Sequence, residues 1–107
     1  MEPAADFAVE VATEDDTVVV RVLGDVDHAH EAELEAVMDH VIARAGGSID
    51  LVVDLTDVAY CDSGGLRVLL GASRRASAGG GLLRLRGVAG QPSRALELTG
   101  LDRVLGT

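Results

Sequence analysis

The chain has 107 residues, 48% apolar but only 2% aromatic, and nine basic against eighteen acidic side chains leave a net charge of −9. That length makes one domain, residues 1–107, with a core of Val, Leu, Ile and Ala, and the charge and the two lone aromatics exclude nucleic acid, which needs a basic stripe or a stacking platform. A single cysteine, Cys61, excludes a disulfide scaffold and a cysteine zinc cluster.

Phe7-Ala8-Val9-Glu10-Val11 alternates and predicts a strand with one wet face. A polar turn at Glu14-Asp15-Asp16 leads to a strand over Thr17–Leu23, apolar on both faces except at Arg21, and the short turn predicts an antiparallel hairpin. The 3.6-residue recurrence of Leu34, Val37, Met38, Val41, Ile42 and Ala45 predicts a helix over His28–Ala45, acidic at its start and ended by Gly46-Gly47. Ile49–Leu55 is the next strand, and a second helix is expected from Ser63 to about Ala78, stopped by Gly79-Gly80-Gly81. Leu82–Arg86 is a short strand near an edge, because Arg84 and Arg86 share a face. Pro92 suits the first turn of a third helix closing near Gly100, with one more turn over Leu101–Leu105. The order β-β-α-β-α-β-α with right-handed crossovers predicts an α/β fold. Its small mixed sheet is parallel in its last three strands, with helices on one or both faces.

No segment approaches the ~20 apolar residues of a membrane helix. Met1–Asp6 lacks the basic and apolar runs of a signal peptide, so a reducing cytoplasm is the expected compartment.

The chemistry concentrates at Tyr60-Cys61-Asp62-Ser63-Gly64-Gly65-Leu66, between a strand and a helix. Ser63 has the residue type of an N-cap accepting from the Gly65 or Leu66 N–H. Two small glycines beside it leave the hydroxyl accessible, and a phosphate there meets the positive helix end. Asp-Ser-Gly-Gly echoes a protease nucleophile loop, but the length and helical pattern do not suit that fold. His28 and His30 with Asp27 and Glu31 read as solvated helix-start residues rather than a metal site. Cys61 reads as a small apolar filler, with Asp54, Asp57 and Asp62 raising its pKa.

Three segments resemble the anti-sigma factor antagonist (anti-anti-sigma factor) family, whose fold is the STAS domain. Leu23-Gly24-Asp25-Val26-Asp27 is similar to its Gly-x-Leu-Asp turn. Val52-Val53-Asp54-Leu55 through Asp62-Ser63-Gly64-Gly65-Leu66 is similar to its strand, loop and Asp-Ser-x-Gly-Leu motif. Leu96–Leu101 is similar to its late Ser/Thr-Gly-Leu. The resemblance implies a bacterial partner-switching protein without enzymatic activity or cofactor. Unphosphorylated, such a protein binds an anti-sigma factor that is also a serine kinase and so releases the sigma factor; phosphorylation ends the complex and a serine phosphatase restores it. Carried over, Ser63 is the phosphate acceptor, and Asp27, Asp62, Ser63, Gly64, Gly65 and Leu66 form the partner-binding set. Gly64 stands where a second hydroxyl residue is frequent, and Cys61 where a larger apolar residue is usual. Two other readings remain beside it: a non-switching STAS module in a larger stress-signalling or membrane-transport assembly, and a small hydrolase with Ser63 as nucleophile and His28 or His30 as base.

Overall fold

Local β-propensity and a two-residue turn build the first unit. In the computed structural model, which describes residues 7–105, β1 (Ala8–Glu14) and β2 (Thr17–Leu23) pair antiparallel from Ala8↔Leu23 to Glu14↔Thr17. Asp15 in the turn has φ 56°, a left-handed conformation that Asp tolerates. There follow α1 (Glu31–Ala45), β3 (Asp50–Asp57), α2 (Ser63–Ala78), β4 (Leu82–Arg86), α3 (Gly90–Thr99) and the short α4 (Asp102–Leu105). The sheet order is β1-β2-β3-β4, and β2, β3 and β4 run parallel, as the crossovers require. β4 is an edge strand, as its two arginines predict.

Several boundaries differ from the sequence pattern. The first strand runs on past Val11 to Glu14, which pairs with Thr17 instead of opening the turn. The first helix begins at Glu31, not His28, because Asp27 takes the amides that would open it: the Ala29 N–H donates to Asp27 Oδ1 (3.1 Å) and the His30 N–H to the Asp27 carbonyl (3.0 Å). Its expected end holds, with Gly46 at φ 66°. The third strand continues past Leu55 to Asp57, whose residue pairs with Leu23 across a register shift in the ladder.

The helices cover one face of the sheet. Val20, Val22, Leu51, Val53, Leu55, Leu83 and Leu85 pack there against Leu34, Met38 and Val41 of α1, Leu66, Leu69, Ala72 and Ala76 of α2, Leu96 and Leu105. The opposite face carries a row of alternating charge, Glu10–Arg21–Asp54–Arg86, one residue from each strand. Among the described residues no helix is long and apolar enough to cross a membrane.

Asp54 in that row is 9% exposed. Burial alone raises its pKa, but Thr56, donating from N–H (2.9 Å) and Oγ1 (2.6 Å), and Arg86, donating from Nε (3.2 Å) and Nη2 (3.0 Å), outweigh it and hold the carboxyl below its ordinary value. A carboxyl more acidic in the folded than in the unfolded chain contributes stability above the ordinary carboxylate range and loses it as the pH falls through that range. In urea unfolding, the gap in midpoint between the native chain and Asp54→Asn is therefore widest at neutral pH and narrows below about pH 5.

Candidate functional site

The parallel strands β2 and β3 end side by side, and the loops that leave them stay paired. The Val26 N–H donates to the Tyr60 carbonyl (2.9 Å) and the Asp62 N–H to the Val26 carbonyl (3.1 Å), an isolated parallel bridge between Val26 and Cys61. Both residues are buried. Asp25–Asp27 and Asp62–Leu66 therefore emerge together beyond the carboxyl ends of the strands, where open α/β sheets hold their ligands.

The cap of α2 is not the residue expected. Asp62, in extended conformation (φ −90°, ψ −178°), is the N-cap: its Oδ1 accepts from the Gly65 N–H (2.9 Å) and its carbonyl from the Leu66 N–H (3.0 Å). Asp and Ser cap equally well, and the carboxylate adds a charge that the helix dipole favours. Ser63 becomes the first residue of the helix. It is exposed, and among the described residues none hydrogen-bonds its hydroxyl.

The two glycines that follow do different things. A Cβ on Gly64 would run into the end of the Glu31 side chain, which can turn aside. A Cβ on Gly65 would lie 2.6 Å from Val26 Cγ1, 2.8 Å from the Val26 carbonyl oxygen and 2.9 Å from Cys61 Sγ. Gly65 is thus where α2 closes onto the strand-end bridge. Leu66 is 5% exposed and belongs to the core. The expected contact surface therefore narrows: Ser63, with part of Asp62 and Gly64, is accessible, while Gly65 and Leu66 shape it from beneath. Asp27 stands at the same end, its carboxylate engaged by the Ala29 N–H and by His30 Nδ1 (3.0 Å).

His28 lies 3.7 Å from Glu31, and the His30 ring stacks on Phe7 at 4.5 Å. Neither is within hydrogen-bond reach of the Ser63 hydroxyl, and among the described residues no three metal-ligating groups converge. Burial pushes the Cys61 thiol up to about 12, with the Asp62 charge adding to it. Asp54 and Asp57, expected to add to it, are not among its causes; their carboxylates pair with Arg86 and Arg21. At neutral pH Cys61 is an inert filler.

One residue of the site had no signal in the sequence. Gln91, on the first turn of α3, closes a pair of hydrogen bonds on the backbone of Cys61: its Oε1 accepts from the N–H (2.8 Å) and its Nε2 donates to the carbonyl (3.0 Å). A glutamine between Gly90 and Pro92 reads as ordinary loop, and its partner lies thirty residues away. Gln91→Ala strands both backbone groups and is expected to cost about 1–3 kcal/mol. Thermal unfolding reads that loss, and hydrogen exchange at the Cys61 amide speeds up. The late Thr99-Gly100-Leu101 segment serves as a helix stop. Thr99 Oγ1 donates to the Ala95 carbonyl (2.8 Å), and Gly100 caps α3 at φ 76°.

The family model described as "Mlab, STAS domain" matches residues 9–106. The anti-sigma-B factor antagonist of Staphylococcus aureus is 33% identical over 97 residues, 91% of this chain and 88% of that protein. The crystal structure of an anti-sigma factor antagonist from Mycobacterium paratuberculosis superposes with a TM-score of 0.79 at 28% identity, over 98% of this chain and 87% of the other. The Bacillus cell fate determinant SpoIIAA in its phosphorylated form has the same fold, with a TM-score of 0.69 at 22% identity over 92% and 86% of the two chains.

Proposed function

Since the chain belongs to the STAS domain family, we propose that it is an anti-sigma factor antagonist acting in the cytoplasm, switched by phosphorylation of Ser63. Unphosphorylated, it binds an anti-sigma factor that is also a serine kinase, and the sigma factor is released. The kinase modifies Ser63, the complex dissociates, and a serine phosphatase resets the cycle. The antagonist itself is a regulatory protein, not an enzyme.

One observation carries this reading: Ser63 is exposed at the first position of α2 with its hydroxyl engaged by no described residue, because Asp62 has taken the capping role. A serine needed as a cap loses that bond when phosphorylated; this one gives up nothing. Its phosphate adds about −1.5 to −2 charge at a helix end that favours anions, so the domain stays folded. Asp27, Asp62 and Glu31 surround the site with negative charge, and they suit a partner with a basic patch. The phosphate raises that charge and bulk at the contact surface.

The test is to incubate the purified protein with ATP and an extract of its own cells, then to take intact mass and map the modified residue. A single phosphate on Ser63 is the expected result. Phosphate on another residue, or none together with stable recovery in a large complex, overturns the switch in favour of a non-switching module.

A further inference from the structure

A second feature lies on the other side of the molecule, between β1 and α1. Val11 of β1 pairs with Val20, and the row continues through Val53 to Leu85 on the helix-packed face. Those three partners are buried, whereas Val11 is 51% exposed. The helix layer stops short of β1 at this end. What remains is an open groove of ≈ 650 Å³ floored by Val11, Thr13 and Val18, with Ala36, Val37, Val41 and Ala45 of α1 as its wall. Its volume and apolar lining are those of a small-molecule site.

Among the described residues that line the groove, the one full charge is positive. Arg44, in the last turn of α1, lines it beside His40. Arg44 takes part in no ion pair among the described residues. An apolar trough ending at an exposed guanidinium with no ion-pair partner among the described residues matches an alkyl chain that ends in a carboxylate. From Val37 to Arg44 the wall runs seven residues, roughly 10 Å at the helical rise.

We propose that the groove between β1 and α1 binds a medium-chain alkyl carboxylate, its chain on Val11, Val18, Val37 and Val41 and its carboxylate on Arg44. The chain occupies the place that a helix side chain would fill in a fully covered sheet. The carboxylate completes the arginine with the charge-assisted hydrogen bonds that a guanidinium offers. The site shares no lining residue with the Ser63 loop and does not depend on the function proposed for it.

The test is an NMR titration of the isotope-labelled chain with decanoate, kept below its micelle-forming concentration, and with octanoate and decanol as comparisons. Saturable shifts confined to Val11, Val18, Val37, Val41 and Arg44 are expected. Affinity should rise roughly fourfold per added methylene. Arg44→Gln should weaken decanoate roughly tenfold, the loss of one charge-assisted hydrogen bond, and leave decanol unchanged. Val11→Glu, at an exposed position, should keep the native melting temperature and abolish binding. Shifts that do not saturate or that scatter over other surfaces overturn the proposal. So does a decanoate affinity that Arg44→Gln leaves intact, as does a groove that accepts only a peptide or a second copy of the chain.

Discussion

Ser63→Glu is expected to leave the domain folded and to weaken binding to the anti-sigma partner by roughly a hundredfold or more. Both halves follow from where Ser63 sits. It is exposed on the first turn of α2 and makes no hydrogen bond to a described residue, so the substitution breaks nothing within the domain. A carboxylate on a first turn is favoured by the helix dipole by about 0.3–1 kcal/mol, so the melting temperature stays level or rises slightly. At an interface the balance reverses. An unpaired charge that loses its water costs several kcal/mol, and here it arrives beside Asp62, Glu31 and Asp27. Ser63→Ala keeps the surface small and neutral; it should bind like the native chain and, under the proposed switch, be refractory to phosphorylation. Calorimetric titration of both variants against the anti-sigma partner, with thermal unfolding alongside, decides the matter. Native-like binding of Ser63→Glu would end the switch reading, and an unfolded Ser63→Glu would show that Ser63 is structural.

The neighbouring glycines should separate by more than their adjacency suggests. Gly→Ala inside a helix ordinarily gains close to 1 kcal/mol in propensity. At Gly64 the closest atoms are the far end of the Glu31 side chain, which can turn aside, and the capping Asp62 Oδ1 at 3.3 Å, which need give only slightly, so Gly64→Ala should be close to neutral. At Gly65 the new methyl meets a backbone carbonyl at 2.8 Å and the buried Val26 and Cys61 side chains. None of these can swing away without breaking the bridge that joins the two strand ends. Overpacking of this kind costs about 1–3 kcal/mol, which exceeds the propensity gain. Denaturant midpoints should therefore fall for Gly65→Ala and hold for Gly64→Ala. A Gly65→Ala protein as stable as the native chain would mean that α2 is free to shift on the sheet. In that case the shift would carry Ser63 with it, and partner binding would weaken at unchanged stability.

The sequence was most informative where the determinant is local. Valine-rich alternation, the polar turn at Glu14-Asp15-Asp16 and the 3.6-residue stripe from Leu34 to Ala45 announced the hairpin and the first helix, and Gly46 announced the helix end. Their cause is the preference of a few neighbouring residues for one backbone region. The chain order of the elements, with right-handed crossovers, then left few ways to arrange the strands. The Asp62-Ser63-Gly64-Gly65-Leu66 segment was also legible as a strand-to-helix junction with an accessible hydroxyl.

Where two adjacent residues compete for one role, local preference falls silent. Asp62 and Ser63 are both good cap residues. Asp62 takes the role because the backbone leaves the Val26–Cys61 bridge in an extended conformation at that residue, and this follows from how two strands pair. The same bridge decides that Gly65 has no room while Gly64 does. Gln91 reaches Cys61 across thirty residues because α3 docks beside the loop, which no pattern of neighbouring residues encodes. That helices shield only one sheet face, and stop short of Val11, depends on how many helices the short chain provides and where their apolar stripes meet. Composition and periodicity thus settle which segments are strands and helices, since those are energies of single residues and near neighbours. Which hydroxyl is left free, which glycine is locked and which groove stays open are settled by contacts between distant segments, which exist only once the sheet and its helices have packed.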